Sequence, residues 1–132
     1  MLFKEEIFKQ KRMLKLKIFA TDLNPKILDI ASAASYPDTI SKQIPQALLT
    51  RYFTKTESKF TVNSDIRQCI VFAKHNLLLD PPFTKMDLVS CRNTLIYFKS
   101  KPQANAIQKL QYAVKEQCVL LLHCRMIMRL MN

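Results

Sequence analysis

The chain of 132 residues contains no glycine. At ordinary usage, roughly 7%, a domain of this length carries about nine. Glycine enters turns with positive φ and lets the backbone approach a ligand closely. A chain without it must build such turns from residues that resist them, or must lack the segments that need them. Its length suits one domain, and an apolar content of 48% is ordinary for a chain that buries a core.

The formal net charge is +11, from 21 Lys and Arg against 10 Asp and Glu. That balance favours acidic partners: nucleic acid, an anionic membrane surface or an acidic protein segment. No lysine run is dense enough to single out nucleic acid. The cysteines, Cys69, Cys91, Cys118 and Cys124, form no C-x-x-C pair. Residues 1–17 are basic but broken by Glu5, Glu6 and Gln10, so they lack the apolar centre of a secretion signal. Reduced thiols and a cytoplasmic location follow as expectations. The spacing of His75 and His123 from the cysteines matches no zinc finger, and no metal site is expected. No apolar run approaches the roughly 20 residues that span a bilayer.

Patterning predicts an alternation of strands and helices. Residues 3–14 read as a basic amphipathic helix with Phe3, Ile7, Phe8 and Leu14 near one face. Residues 16–22 form an apolar run that ends in Asp22. Asn24 can then cap a helix and Pro25 suits its first position. Strand, acidic end and capped helix make one arm of a doubly wound α/β fold. Residues 36–45 read as a loop and Pro45 as the start of a short helix. Residues 51–54 and 59–62 alternate like the arms of a hairpin, and 69–73 look like a third strand of the same antiparallel insertion. Residues 86–91 read as a buried strand, 102–115 as a helix and 119–122 as a last strand.

In a doubly wound sheet, ligands bind beyond the carboxyl ends of the strands. Asp22, Asn76 and the pair Arg92-Asn93 fall at such ends. A carboxylate only accepts hydrogen bonds, and its two oxygens match the two hydroxyls of a ribose. Asp22 therefore suits a nucleoside cofactor, or equally a cap on the helix that opens at Pro25. For Asn76 and Arg92 the plainer readings are a solvated amide and a structural ion pair.

Three stretches carry a resemblance to a known family. They are Ile18-Phe19-Ala20-Thr21-Asp22-Leu23-Asn24-Pro25, then His75-Asn76-Leu77-Leu78 with Asp80-Pro81-Pro82-Phe83, then Asp87-Leu88-Val89-Ser90-Cys91-Arg92-Asn93-Thr94-Leu95-Ile96-Tyr97-Phe98. In this order they resemble the CheR-type chemotaxis methyltransferases, and Arg51-Tyr52-Phe53 with Ile70-Val71-Phe72 resemble that family's small β-subdomain. The Asp-Pro-Pro-Phe variant is similar to members fused to methylesterase and PAS modules. The resemblance implies a partial Rossmann-like α/β methyltransferase sheet with a small antiparallel β-subdomain. It implies S-adenosylmethionine as cofactor, with Asp22 on the ribose, Asn76 and Leu77 bordering the adenine, and Arg92 and Asn93 lining the pocket. Tyr97 would lie near the methyl group. The implied reaction is methyl transfer to a glutamate side chain of a receptor or signalling protein. A basic surface suits such an acidic partner; no nucleic acid is expected, and the lack of a long apolar run leads to the expectation of no membrane span.

The implied layout is a remnant helix at residues 1–15, a partial methyltransferase domain at 16–122 with the β-subdomain at about 51–73, and a divergent tail at 123–132. The family's glycine-rich turn and first strand are expected to be missing, and cofactor binding to be weakened accordingly. Glu116-Gln117-Cys118 stands where the family has a Pro-Gly-Gly-type turn, and Ser35 where members often have glycine. The hairpin loop Lys55-Thr56-Glu57-Ser58 is shorter than in members that dock on a receptor's tethering peptide. Three other readings stay open: a non-catalytic remnant or interaction module, an amino-methyltransferase of nucleic acid, and a basic nucleic-acid binder for which the charge alone speaks. The second rests on Asp80-Pro81-Pro82-Phe83, which here precedes the strand it would be expected to follow.

Overall fold

The computed structural model describes residues 1–123, and its first helix is shorter than the apolar spacing predicts. Helix α1 spans Leu2–Lys9, and the chain leaves it through Lys11 at φ 50°. This left-handed conformation is disfavoured by roughly 1–2 kcal/mol for a residue with a Cβ. Of the expected divergent tail at 123–132, residues 124–132 lie outside the described residues.

The chain divides into two units, Met1–His75 and the residues from Asn76 onward. In the first unit, strand β1 (Ile18–Asp22) leads into helix α2 (Pro25–Ala33). The expected cap forms: Asn24 Oδ1 accepts from the Lys26 N–H at 3.0 Å, and Pro25 opens the helix. Ala34, at φ 52°, ends it in a left-handed C-cap. The predicted loop that follows contains a short strand, β2 (Ser35–Pro37), and a 3-10 turn at Asp38–Lys42.

Helix α3 (Gln46–Tyr52) starts after Pro45 as expected but continues through Arg51 and Tyr52, which the alternating pattern assigns to a strand. The reason is tertiary. The Tyr52 ring is buried, and its hydroxyl donates to Glu5 Oε1 at 2.6 Å, a residue on α1. Strands β3 (Phe53–Lys55) and β4 (Lys59–Val62) form the expected hairpin, whose loop closes with Thr56 N–H donating to Lys59 O. β4 lies between β2 and β3 in an antiparallel sheet.

After the short helix α4 (Ser64–Arg67) comes strand β5 (Ile70–Lys74). The placing of this strand in the antiparallel insertion is corrected: β5 pairs in parallel with β1, from Ile18 opposite Ile70 to Asp22 opposite Lys74. The third antiparallel strand is β2 instead. The sequence between β1 and β5 holds a helix, α2, long enough to cross over, and a parallel pair requires such a connection. Beneath the antiparallel sheet, Leu49, Tyr52, Phe53, Phe60 and Ile66 form the buried core of this unit. The Phe53 ring meets Phe60 edge-on at 6.3 Å.

The second unit is a β-α-β arrangement. Strand β6 (Met86–Arg92) is followed by a 3-10 turn at Leu95–Tyr97, helix α5 (Ser100–Ala113) and strand β7 (Val114–His123). β6 and β7 are parallel, with Leu88 opposite Val119 and Cys91 opposite Leu122. Between Met86 and Leu88 the register shifts, and Gln117 in the displaced part of β7 sits at φ 61°. Leu95, Ala106 and Leu110 are buried together, with Leu77, Leu78, Val89 and Cys91 packed against them. Both units are mixed α/β, each holding one parallel pair, consistent with a partial Rossmann-like methyltransferase fold that carries a small antiparallel sheet.

Candidate functional site

Asp22 stands at the carboxyl end of β1, beside Lys74 at the end of β5. The backbone locks this edge, because the His75 N–H donates to Asp22 O at 3.1 Å. The Asp22 side chain is exposed, and its Oδ1 accepts from the Asn24 N–H at 2.8 Å. The helix cap itself is Asn24; Asp22 braces the residue that caps. Oδ2 of Asp22 makes no hydrogen bond among the described residues, so one carboxylate oxygen is unspent.

Asn76 opens the second unit and is not a solvated amide. Its Oδ1 accepts from Leu78 N–H at 3.0 Å and Leu79 N–H at 3.2 Å. Its own N–H donates to Asp80 Oδ2 at 2.7 Å, and Asp80 N–H returns to Asn76 O at 2.9 Å. This is the side-chain turn that Asn forms readily, since its carbonyl mimics a backbone acceptor. The side chain of Leu77 is half-buried against the Leu95 cluster.

Arg92 ends β6 with its side chain exposed, and its guanidinium makes no ion pair among the described residues. The structural ion pair considered for it is therefore absent from that set. Asn93 follows at φ 58°, a conformation that Asn adopts more readily than most residues because its short polar side chain bonds locally. The strand thus turns sharply at its carboxyl end. Thr94 Oγ1 donates to Arg92 O at 3.3 Å across that turn. Burial pushes the Cys91 thiol up from its ordinary range, which keeps it protonated and a poor nucleophile.

Tyr97 closes the 3-10 turn with its side chain 79% exposed, while Leu95 in the same turn is fully buried. The turn hangs on helix α5 through Gln103, whose Nε2 donates to Leu95 O at 3.0 Å. Gln103 is itself buried, in line with Ala106, Leu110 and Ala113 on one helix face. A glutamine inside an apolar stripe is the signal that could have found it. Lys109 had no such signal: its ammonium donates to Leu78 O at 2.7 Å and Asp80 O at 2.9 Å, 31 and 29 residues away.

Within the second unit, Asn76, Leu77, Arg92, Asn93 and Tyr97 all lie on turns, at the end of β6 or against α5. Asp22 lies at the end of β1 in the first unit. Among the described residues no helix is long and apolar enough to cross a membrane.

Comparison with known proteins supplies the family. Residues 1–124 match the model described as CheR methyltransferase, SAM binding domain. The chain is 48% identical over 115 residues to an uncharacterized 104.1 kDa protein in the hypE 3' region of Rhodobacter capsulatus, covering 87% of this chain and 12% of that protein. It is 32% identical over 125 residues to a chemotaxis protein methyltransferase of Borreliella burgdorferi, covering 92% of this chain and 44% of that one. A chemotaxis protein methyltransferase of Listeria innocua is 31% identical over 103 residues, covering 78% of this chain and 39% of its own length. The chain thus spans from 12% to 44% of the length of these three relatives. It belongs to the CheR methyltransferase family, and the part of that family it carries is the S-adenosylmethionine-binding domain.

Proposed function

We propose that this chain takes part in methyl transfer from S-adenosylmethionine to glutamate side chains of a chemotaxis receptor or related signalling protein. The observation that carries the reading is the unspent carboxylate oxygen of Asp22 at the end of a parallel strand in a chain of this family. The residues present fit the cofactor chemically. An exposed carboxylate accepts from ribose hydroxyls. The Leu77 side chain and the Asn76 Nδ2, which the turn does not use, suit an adenine ring and its edge. In this reading Arg92 and Asn93 also contact the cofactor, and Tyr97, whose ring is exposed, serves its methyl end.

When bound, the sulfonium supplies the methyl group: an O–C bond forms to the glutamate carboxylate as the S–C bond breaks, leaving neutral S-adenosylhomocysteine. Glutamate, with a reference pKa of about 4.3, is already ionised at neutral pH, so no general base is required of this chain. Its residues have two tasks, to hold the reacting groups in line and to keep water out. The net charge of +11 favours a glutamate-rich helix as the partner, in the cytoplasm. The size of the 104.1 kDa relative is in keeping with a family member joined to further modules.

Asp80-Pro81-Pro82-Phe83 serves here as a structural turn. The Asp80 carboxylate accepts from Asn76, and its carbonyl accepts from Lys109. That use disfavours amino-group methylation. The absence of glycine from these 132 residues, which leaves turns such as that at Gln117 strained, favours a second reading, a non-catalytic module of the same fold. Incubation with methyl-labelled S-adenosylmethionine and a glutamate-rich receptor peptide separates the readings. The proposal expects label on the peptide that base releases as methanol. Base-stable label would indicate amino-group transfer, and cofactor binding with no label would leave the non-catalytic module.

A further inference from the structure

The turn from Asn76 to Asp80 has its backbone donors and acceptors served from two different sides. Its N–H groups at Leu78 and Leu79 go to Asn76 Oδ1. Its carbonyls at Leu78 and Asp80 go to the Lys109 ammonium, at 2.7 and 2.9 Å. Next come Pro81 and Pro82, which have no N–H to offer, so the chain immediately after the turn cannot supply donors of its own. Helix α5 fills that role from a distance. An ammonium carries three donors, and hydrogen bonds from a charged donor are shorter and about twice as strong as neutral ones. The same helix also packs Ala106 and Leu110 in one cluster with Leu77 and Leu78. The turn is therefore held to α5 by an apolar seat and a charged clamp.

We propose that Lys109 is a positioning residue: by clamping the carbonyls of Leu78 and Asp80 to α5, it fixes the turn that presents Asn76 and Leu77 to the adenine. This rests on the reading of Asn76 and Leu77 as the adenine border. Lys109 touches no cofactor atom in this account and acts only through the turn. Releasing the clamp leaves two carbonyls without their charged donor and lets the Asn76 amide and Leu77 side chain wander relative to the ring they border. Affinity falls, and so does discrimination between purine edges.

The test compares the 132-residue chain and its Lys109→Met and Lys109→Arg variants by calorimetry with S-adenosylhomocysteine and S-inosylhomocysteine, which differ only at the purine edge. Loss of two charged hydrogen bonds predicts that Lys109→Met weakens S-adenosylhomocysteine binding about tenfold or more. It also predicts that the preference for the adenosyl over the inosyl ligand shrinks, which a general loss of folded protein would not produce because both ligands would suffer alike. Lys109→Arg, which keeps a charged donor, restores most of the preference. Hydrogen exchange gives a second readout: the Leu78 and Leu79 amides should exchange faster in Lys109→Met, with the Leu95 turn unchanged. A wild-type chain that prefers the adenosyl ligand, beside a Lys109→Met variant with the same affinity, preference and exchange, overturns the role of Lys109 alone. A wild-type chain that binds both ligands equally, or neither, overturns the adenine-border reading and the inference with it.

Discussion

At the scale of single residues, the missing glycines reappear as backbone strain. Lys11, Ala34, Lys85, Asn93 and Gln117 all have positive φ. Asn93 is suited to this, but Gln117 is not, and it falls in the segment where the resemblance leads one to expect a Pro-Gly-Gly-type turn. Removing its Cβ relieves roughly 1–2 kcal/mol of left-handed strain, against roughly 0.5–1 kcal/mol for the greater freedom of glycine in the unfolded chain. Gln117→Gly should therefore raise stability by about 0.5–1 kcal/mol, read as a higher urea midpoint with an unchanged slope. A lower midpoint would show that the side chain of this exposed residue makes contacts worth more than the strain. Ala34 should gain less, since its side chain is buried and its Cβ packs. The family resemblance pointed near these sites, to Ser35 and to Glu116-Gln117-Cys118, while the lack of glycine alone named no position. Neither could say which neighbour would carry the positive φ, since that depends on how the flanking elements pair.

At the scale of elements, local chemistry was readable and distant chemistry was not. Asn24-Pro25 announces a helix start by itself, and the helix starts there. Arg51 and Tyr52 were misread because their helical state depends on α1, a helix 46 residues back in sequence, whose Glu5 Oε1 accepts from both at 2.6 Å. β5 was legible as a strand, but its partner was not, since pairing direction is a property of two segments. Lys109 belongs to the same class: nothing in a helical lysine reveals two carbonyls some 30 residues upstream. The Glu5 contact makes a prediction of its own. The hydrogen bonds from Tyr52 and then Arg51 hold the Glu5 carboxyl below its ordinary value of about 4.5. A carboxylate whose pKa is lowered by folding contributes stability that is complete above its unfolded value and is lost as pH falls through the folded one. The docking of α1 on α3 should thus weaken as pH drops below about 4.5, seen by NMR as changing Tyr52 ring shifts while the Leu95 cluster is unaffected. Glu5→Gln should remove that pH dependence. Tyr52 shifts that titrate unchanged in Glu5→Gln would assign the effect to another group.

At the scale of the whole chain, family, fold class and cofactor were legible because one specific string, Cys91-Arg92-Asn93 through Tyr97-Phe98, resembles the CheR-type methyltransferases and follows the other matching stretches in that family's order. The roles of individual residues were legible only as chemistry. A carboxylate can serve a ribose or brace a helix cap, and Asp22 braces the cap with one oxygen while keeping the other unspent. The central claim is that this second oxygen serves the cofactor. Calorimetry of the chain and its Asp22→Ala variant with S-adenosylmethionine and S-adenosylhomocysteine tests it most directly. The account predicts measurable heat for the natural chain with both ligands and none for Asp22→Ala, with α2 still folded because Asn24 is its cap. No heat from the natural chain at millimolar ligand, or equal binding by Asp22→Ala, would contradict it.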